Sequence, residues 1–488
     1  MLPPLSKEGG RKADKEGDMT EREKTILLKV RQWSEKQRQN FISDLIALVN
    51  IESVCEPGKN GLVFGNGCRD AVDKTLEIAE RMGLETENDE YYCCSALLKG
   101  AQKKELGIVG HLDVVPAGDF GRFEPYQAVY RDGVVIGRGA SDNKGGVITA
   151  LYTAKCLKEL HLPLKHTLRV LMGCSEEIGI KGEDIAHFLK KHEAPEFSLI
   201  CDSCFPFHHG EKGIMTAELE IEKGNTIENM QGGIASNSIP DRCTAVLRLP
   251  ASDRITHHLE GCETELLPDN RMKAFAAGKA AHAAFPEGGE SAVVKLARAL
   301  LKSGYLDEKD EKAMRFIVNA FQDFYGTGLH IEAEDDVFGR TTCVGGMLFT
   351  EGNKFIQDIN IRYGKSLSFE AMKKRISDCA EASGYHAEHF TDDPYKYVPL
   401  EDPVLQLLLK TCRELMHKPD MVPFVMGGGS HMRKLPNSLG FGCSPQNDPV
   451  PYGGAHGAEE CVKIDSLLSC IGIYVITLLR LDEYFEAE

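Results

Sequence analysis

The sequence predicts an α/β fold: an open, mostly parallel sheet with helices on both faces, split in the chain by an inserted α+β domain. Three observations carry this expectation. Between Leu106 and Ile200, mostly apolar runs of the kind buried on both faces of a sheet alternate with stretches of helical period. Past Asp202 the texture changes to half-buried alternating strands and amphipathic helices over roughly 180 residues, enough for a domain of its own. After Leu400 the first texture returns.

Residues 1–19 hold charges and turn formers without an apolar stretch, which predicts a disordered leader and not a signal peptide. From Thr25 to Asn50, Ile26, Leu27, Val30 and Trp33, then Phe41, Leu45, Ile46 and Leu48, recur at helical spacing and predict a helical pair. A further helix pattern covers Asp70 to Gly83. Strands are expected at Leu106 to Val109, Leu168 to Met172 and Phe197 to Ile200, with helices at Gly145 to Leu160 and Gly182 to His192. This first part of the split domain takes residues 20–213. The insert, 214–395, begins with alternation at Thr216 to Glu222 and Thr244 to Leu249. Helices follow at Ala292 to Gly304 and Lys312 to Tyr325, then strands at Thr342 to Phe349 and Ile356 to Arg362, and a helix at Phe369 to Ser383. The second part, 396–488, offers a helix at Pro403 to Met416, loops at Gly427 to Gly429 and Tyr452 to Gly457, and a final apolar helix or strand from Ile464. Its longest apolar stretch, Leu467 to Leu479, is 13 residues, short of the roughly 20 that a membrane helix needs.

Composition narrows the function classes. Of 488 residues, 57 are Lys or Arg and 74 Asp or Glu, a formal charge of -17 that repels phosphate backbones and anionic lipid. Neither nucleic acid nor a membrane is an expected partner. The 16 cysteines sit in apolar runs (Cys156, Cys174, Cys470) or side by side (Cys93, Cys94) rather than at framework spacings, which predicts reduced thiols and a cytoplasmic protein. Cys201 and Cys204 form a C-x-x-C, but no second pair stands at zinc-ribbon spacing.

The expected strands deliver ionisable residues to one sheet edge, where open α/β sheets bind ligands. His111 and Asp113 follow the first, Glu176 and Glu177 the second, Asp202 the third. Asp142 precedes a helix pattern, and His456 lies in a glycine-rich loop. Singly, each has a plain reading: a polar turn, a helix cap, acids complementing a helix dipole, a solvated loop histidine. Two adjacent carboxylates in a cleft, however, need a cation or a shared proton. Together these imidazoles and carboxylates match a two-metal site suited to zinc and, less tightly, manganese or cobalt. No phosphate-binding loop and no G-x-S-x-G motif occurs.

At these residues the chain resembles the two-metal peptidases and deacylases that include aminoacylase, carnosinase and the glutamate carboxypeptidases, most of all the PepV-type (Xaa-His) bacterial dipeptidases. The matching pieces are GHLDVVPAGD, GRGASDNKGG, SEEIG, CDS, SNSIPDR, GKAAHAAFPEGG, NIRYG, GGGSHMR and GGAHGAEE, in the family's order. The resemblance implies a split catalytic domain with an inserted lid, and two divalent ions, zinc foremost. Asp142 would bridge them, His111 and Asp202 completing one, Glu177 and His456 the other. Asp113 would orient His111, and Glu176 would be the general base acting on a metal-bridging water. His282 would stabilise the oxyanion, Arg362 would bind the substrate's carboxylate, and Asn237 with the Gly428 and Gly429 backbone would touch substrate. The implied activity is hydrolysis of small peptides with a free carboxylate. The alternatives are deacylation of N-acyl amino acids on the same site, or a non-catalytic metal- or peptide-binding relative. An insert of this size is similar to those of members whose histidine acts within one chain, which implies a monomer, with a homodimer as the alternative. Two positions depart from the family: Asn143 stands where a second acid is usual, and His431 where PepV-type proteins tend to carry an aromatic residue.

Overall fold

In the computed structural model, which describes residues 19–179, 183–249, 258–446 and 448–487, the chain enters through one long helix, α1 (Glu21–Val49). The pair expected from Thr25 to Asn50 is thus a single helix. No glycine or proline interrupts the run, and Thr20 starts it with a capping box, its Oγ1 accepting from Glu23 N at 3.2 Å while its own N–H donates to the Glu23 carboxylate at 2.8 Å. The expected leader lies outside the described residues up to position 18.

Helix α2 (Gly65–Arg81) precedes strands β1 (Glu85–Asp89), β2 (Cys93–Leu98) and β3 (Glu105–His111). A short hairpin, β4 (Val129–Arg131) and β5 (Val134–Ile136), leads to α3 (Lys144–Glu159), β6 (Thr167–Gly173), α4 (Asp184–Lys191) and β7 (Phe197–Ile200). The sheet order is β1-β2-β6-β3-β7, continued by Ser438–Gly440. Its centre is parallel and its β1-β2 edge antiparallel. Strands β6 and β7 are buried at every position, which is why their sequences read as mostly apolar runs without alternation. In the parallel register His111 pairs with Gly173, and Val109 with Ile200. Whatever follows these strands therefore leaves the sheet on the same edge.

The chain forms two compact units. One comprises residues up to Phe207 with Leu400–Pro423 and Leu435–Glu488; the other comprises His208–Pro399 with Phe424–Lys434. The second unit is built on an antiparallel sheet whose strand Gly213–Glu222 alternates buried and half-exposed, as one covered face requires. Helices α5 (Ala292–Ser303), α6 (Glu308–Ala320) and α7 (Phe369–Ala382) belong to this unit. Helix α6 begins before Lys312, because Asp307 caps it, and ends well short of Tyr325. The segment Phe424–Met426 runs parallel to His208–Glu211, so the loop Gly427 to Gly429 belongs to this unit although it lies beyond residue 395.

The first unit closes with α8 (Pro403–Met416) and α9 (Ile464–Ala487). Helix α9 is 24 residues long with a mean hydropathy of 1.8 over its most apolar window, so by length and composition it could cross a membrane. That window is 67% buried, and α9 packs on α1, α3 and α8 as the central helix of the unit.

Candidate functional site

The common sheet edge assembles the predicted donors of the first unit. His111 ends β3, and its Nε2 stands 3.0 Å from Asp142 Oδ1 and 3.9 Å from Asp202 Oδ2. The other Asp142 oxygen, Oδ2, lies 3.1 Å from His456 Nε2, which is also 3.1 Å from Glu177 Oε2. Two trios result, His111 with Asp142 and Asp202, and Asp142 with Glu177 and His456, the ligand atoms of each within 4.8 Å of one another. Asp142 belongs to both. Its two oxygens face opposite ways, the arrangement of a carboxylate shared between two cations. Nitrogen and oxygen donors in this number suit divalent metals.

The ring of His111 is fully buried, with Nδ1 2.9 Å from the Asp113 carbonyl oxygen and 3.5 Å from the Asp113 carboxylate. The backbone carbonyl is the nearer acceptor; a proton held there leaves the Nε2 lone pair for a cation. The Asp113 carboxylate, besides facing this ring, has a second task. It accepts the backbone N–H groups of Glu176 at 3.2 Å and Glu177 at 2.9 Å, fixing the turn that carries both acids.

Glu460 and Arg138, which the sequence reading passed over, and Asn143, which it noted as a departure, hold this framework. Glu460 is fully buried and accepts from Ser141 N and Asp142 N through Oε1 at 2.9 and 3.0 Å, and from Gly139 N through Oε2 at 3.0 Å. Its Oε2 also pairs at 2.6 Å with the buried Arg138, whose Nη2 donates to the His456 carbonyl at 3.2 Å. One ion pair thus ties the loop bearing Asp142 to the loop bearing His456. Asn143, also buried, donates through Nδ2 to the Cys201 carbonyl at 3.2 Å and accepts through Oδ1 from His111 N at 3.4 Å. It joins the ends of β3 and β7; the preceding Asp142–Asn143 peptide is cis. The signal for Arg138 and Glu460 was their place inside motifs already singled out, as ionisable residues of opposite sign.

Electrostatically the site is crowded with acid. Burial and the neighbouring carboxylates of Asp202, Glu177 and Asp142 hold Glu176 well above the usual range. Burial and the Asp142 charge raise Glu177. For Asp142 burial works the other way from its hydrogen bonds to His111 and His456, and the bonds win, lowering it. Hydrogen bonds to Asp142 and Glu177 push His456 up to about 11.

The remaining predicted residues lie in the second unit. His282 is bridged to Ser238, Ala283 N donates to the Asn237 carbonyl at 2.8 Å, and Ala284 N donates to His282 Nδ1 at 3.2 Å. Accepting at Nδ1 places the proton of the neutral ring on Nε2. Arg362 is 4% exposed; its Nε donates to Asn360 Oδ1 at 2.9 Å and its Nη1 to the Gly427 carbonyl at 3.2 Å. Among the described residues no carboxylate forms an ion pair with it, and burial with the nearby Arg433 lowers its guanidinium to about 10. Arg433 secures the same loop, donating to the Gly428 carbonyl at 3.1 Å while paired with the buried Glu211 at 3.0 Å. Gly429 has no room for a side chain, since an added Cβ would lie 2.4 Å from Arg433 Nε. His431 is buried in this unit, 1% exposed.

Residues 107–480 match Peptidase family M20/M25/M40, and the chain belongs to that family. It is a peptide-bond hydrolase of the divalent-metal type. Among its relatives is the Beta-Ala-Xaa dipeptidase of Lactobacillus delbrueckii subsp. lactis, 29% identical over 471 residues, or 93% of this chain and 98% of the relative. Human carnosine dipeptidase 1 shares the fold with a TM-score of 0.55 at 15% identity, covering 94% of this chain and 99% of that one. The dipeptidase Dug1p of Saccharomyces cerevisiae does so with a TM-score of 0.56 at 14% identity, covering 94% and 98%.

Proposed function

We propose that this protein is a cytoplasmic dipeptidase that hydrolyses the amide bond of dipeptides or short peptides carrying a free C-terminal carboxylate. The observation that carries the reading is Asp142, common to two donor trios, with the partly buried Glu176 next to Glu177. His111, Asp142 and Asp202 would hold one divalent ion and Asp142, Glu177 and His456 the other, zinc first, with manganese or cobalt as alternatives. Bound there, the two ions would polarise the scissile carbonyl and acidify the attacking water.

The chain's own groups do the rest. Glu176 takes the proton from the attacking water and delivers it to the leaving amine; a carboxyl held above its usual range by burial is suited to carry a proton both ways near neutral pH. The Asp113 carboxylate keeps this base in place through the two N–H groups it accepts. His282, with its proton on Nε2, donates to the developing oxyanion. Arg362, a buried guanidinium with no ion-pair partner among the described residues, receives the substrate's terminal carboxylate, and Asn237 and the Gly428 and Gly429 backbone line its path. The name of the Lactobacillus relative supports a dipeptide substrate.

The test is turnover of free dipeptides beside their N-acetyl amino acid counterparts, by protein stripped of metal and reloaded with Zn, Mn or Co. Metal-dependent cleavage of the dipeptides is expected. Cleavage of the acetylated set alone would make the protein a deacylase. Glu176→Gln should lower kcat by about 10²- to 10⁴-fold with metal content unchanged. A Glu176→Gln protein as active as the parent would remove Glu176 from the reaction.

A further inference from the structure

The second unit contains a cavity of about 330 Å³ beside the Arg362 anchor. Gly427, whose carbonyl accepts from Arg362, forms one wall, and Ala284, whose N–H donates to His282, forms another. These walls press together: a Cβ on Gly427 would lie 2.6 Å from that of Ala284. The cavity is therefore bounded by the two loops to which the proposed function gives the substrate carboxylate and the oxyanion.

Its charged lining is two cations, Lys212 and Arg340, against one acid, Glu287. Lys212 is fixed beside the glycine loop by its N–H, which donates to the Met426 carbonyl at 2.9 Å, and its Nζ donates to the Arg340 carbonyl at 2.6 Å. The guanidinium of Arg340 lies 3.4 Å over the centre of the Tyr325 ring, a cation–π contact. Among the described residues neither cation forms an ion pair. The acid in the lining, Glu287, is exposed and accepts from Tyr325 Oη at 3.2 Å. Asp335, whose charge also acts on Lys212, already accepts the backbone N–H groups of Val337 and Phe338 at 3.0 and 2.7 Å. Burial lowers the Lys212 ammonium and the Arg362 charge adds to this, while Asp335 and Glu287 only partly oppose it. Phe338 and Val425 supply an apolar surface for methylene groups.

We propose that this cavity is the side-chain subsite for the residue whose carboxylate Arg362 holds, and that it selects an acidic side chain. The inference rests on the role given to Arg362 above. Once that carboxylate is anchored, the side chain on the same carbon enters the adjoining cavity. A carboxylate there meets the half-buried Lys212 and the exposed Arg340, and a charged hydrogen bond discriminates against the neutral amide of the same shape.

The experiment compares kcat/KM for dipeptides sharing one N-terminal residue and ending in Glu, Gln, Leu or Phe, with the matching N-acetyl amino acids measured in parallel. Glu-terminated substrates should exceed Gln-terminated ones by about tenfold or more. In Lys212→Met and Arg340→Gln that ratio should fall toward one. Competitive inhibition of the unaltered enzyme by free glutamate against glutamine reads the same subsite should a variant fail to fold. Equal rates for Glu and Gln, a preference for Phe, or a ratio that survives both substitutions would overturn the inference while leaving the dipeptidase standing. If only N-acetyl substrates are cleaved, the proposed function fails, and the ratio for N-acetylglutamate over N-acetylglutamine still decides the subsite.

Discussion

Asn143 is engaged at both ends, as donor to Cys201 and acceptor from the His111 amide. An aspartate there could accept but not donate, and would set a carboxylate oxygen against the Cys201 carbonyl. Asn143→Asp should therefore cost about 1–3 kcal/mol of stability, read by denaturant unfolding, and an equally stable variant would show that the amide is not what joins the two strand ends. Glu460 makes four hydrogen bonds around Asp142 and Arg138, none of them to a candidate cation ligand's own side chain. Glu460→Gln should weaken divalent-metal binding by about 10- to 100-fold in equilibrium dialysis, with Glu176 untouched; undiminished affinity would reduce the ion pair to a packing role. His111, Glu177 and Asp202 were legible because each closely follows a mostly apolar run, and the end of a parallel strand is where such a side chain meets the others. Arg138 and Glu460 were not, since the pair is separated by 322 positions and its members look like any charged residues of a turn.

At the scale of elements, helix starts show how local chemistry sets boundaries. Asp307 caps α6 through Oδ1, which accepts from Lys309 N and Asp310 N at 3.1 and 3.0 Å, and its Oδ2 accepts from Asn225 N at 2.7 Å. Against the effect of burial, these backbone bonds lower its carboxyl from 3.8 to about 2. A carboxyl whose folded value lies below its unfolded one stabilises the fold above pH 3.8, and the contribution is lost as pH falls toward about 2. Asn is a comparable cap without the charge. Asp307→Asn should thus unfold with a weaker pH dependence between pH 4 and 2, by about 1 kcal/mol, and parallel pH profiles for the two proteins would contradict the assignment. Periodicity placed α5, α7 and α8 within a residue or so of their bounds. It divided α1 because the polar stretch from Ser34 to Asn40 hides the continuity of the apolar face, although no helix breaker stands there. It also gave no sign that the Gly427 loop sits in the second unit, because that follows from a parallel pairing with a strand more than two hundred residues earlier.

For the whole molecule, the two-cation reading demands that chelation abolish turnover and that zinc, manganese or cobalt restore it. Activity that persists after complete removal of divalent ions would exclude the reading. We also expect sedimentation of a single species near 53.8 kDa, the mass of one chain, and a stable species of twice that mass would favour the dimer.

The division of the chain sets an order of events during synthesis. The second unit has all its residues once Lys434 has been added, whereas the first, though begun earlier, still lacks the strand Ser438–Gly440 and the whole of α9. Until α9 arrives, α1, α3 and α8 have no central partner and leave an apolar trough open to solvent. The unit that starts first therefore finishes last, and in the interval the nascent chain carries a complete insert on a scaffold that a chaperone has reason to cover.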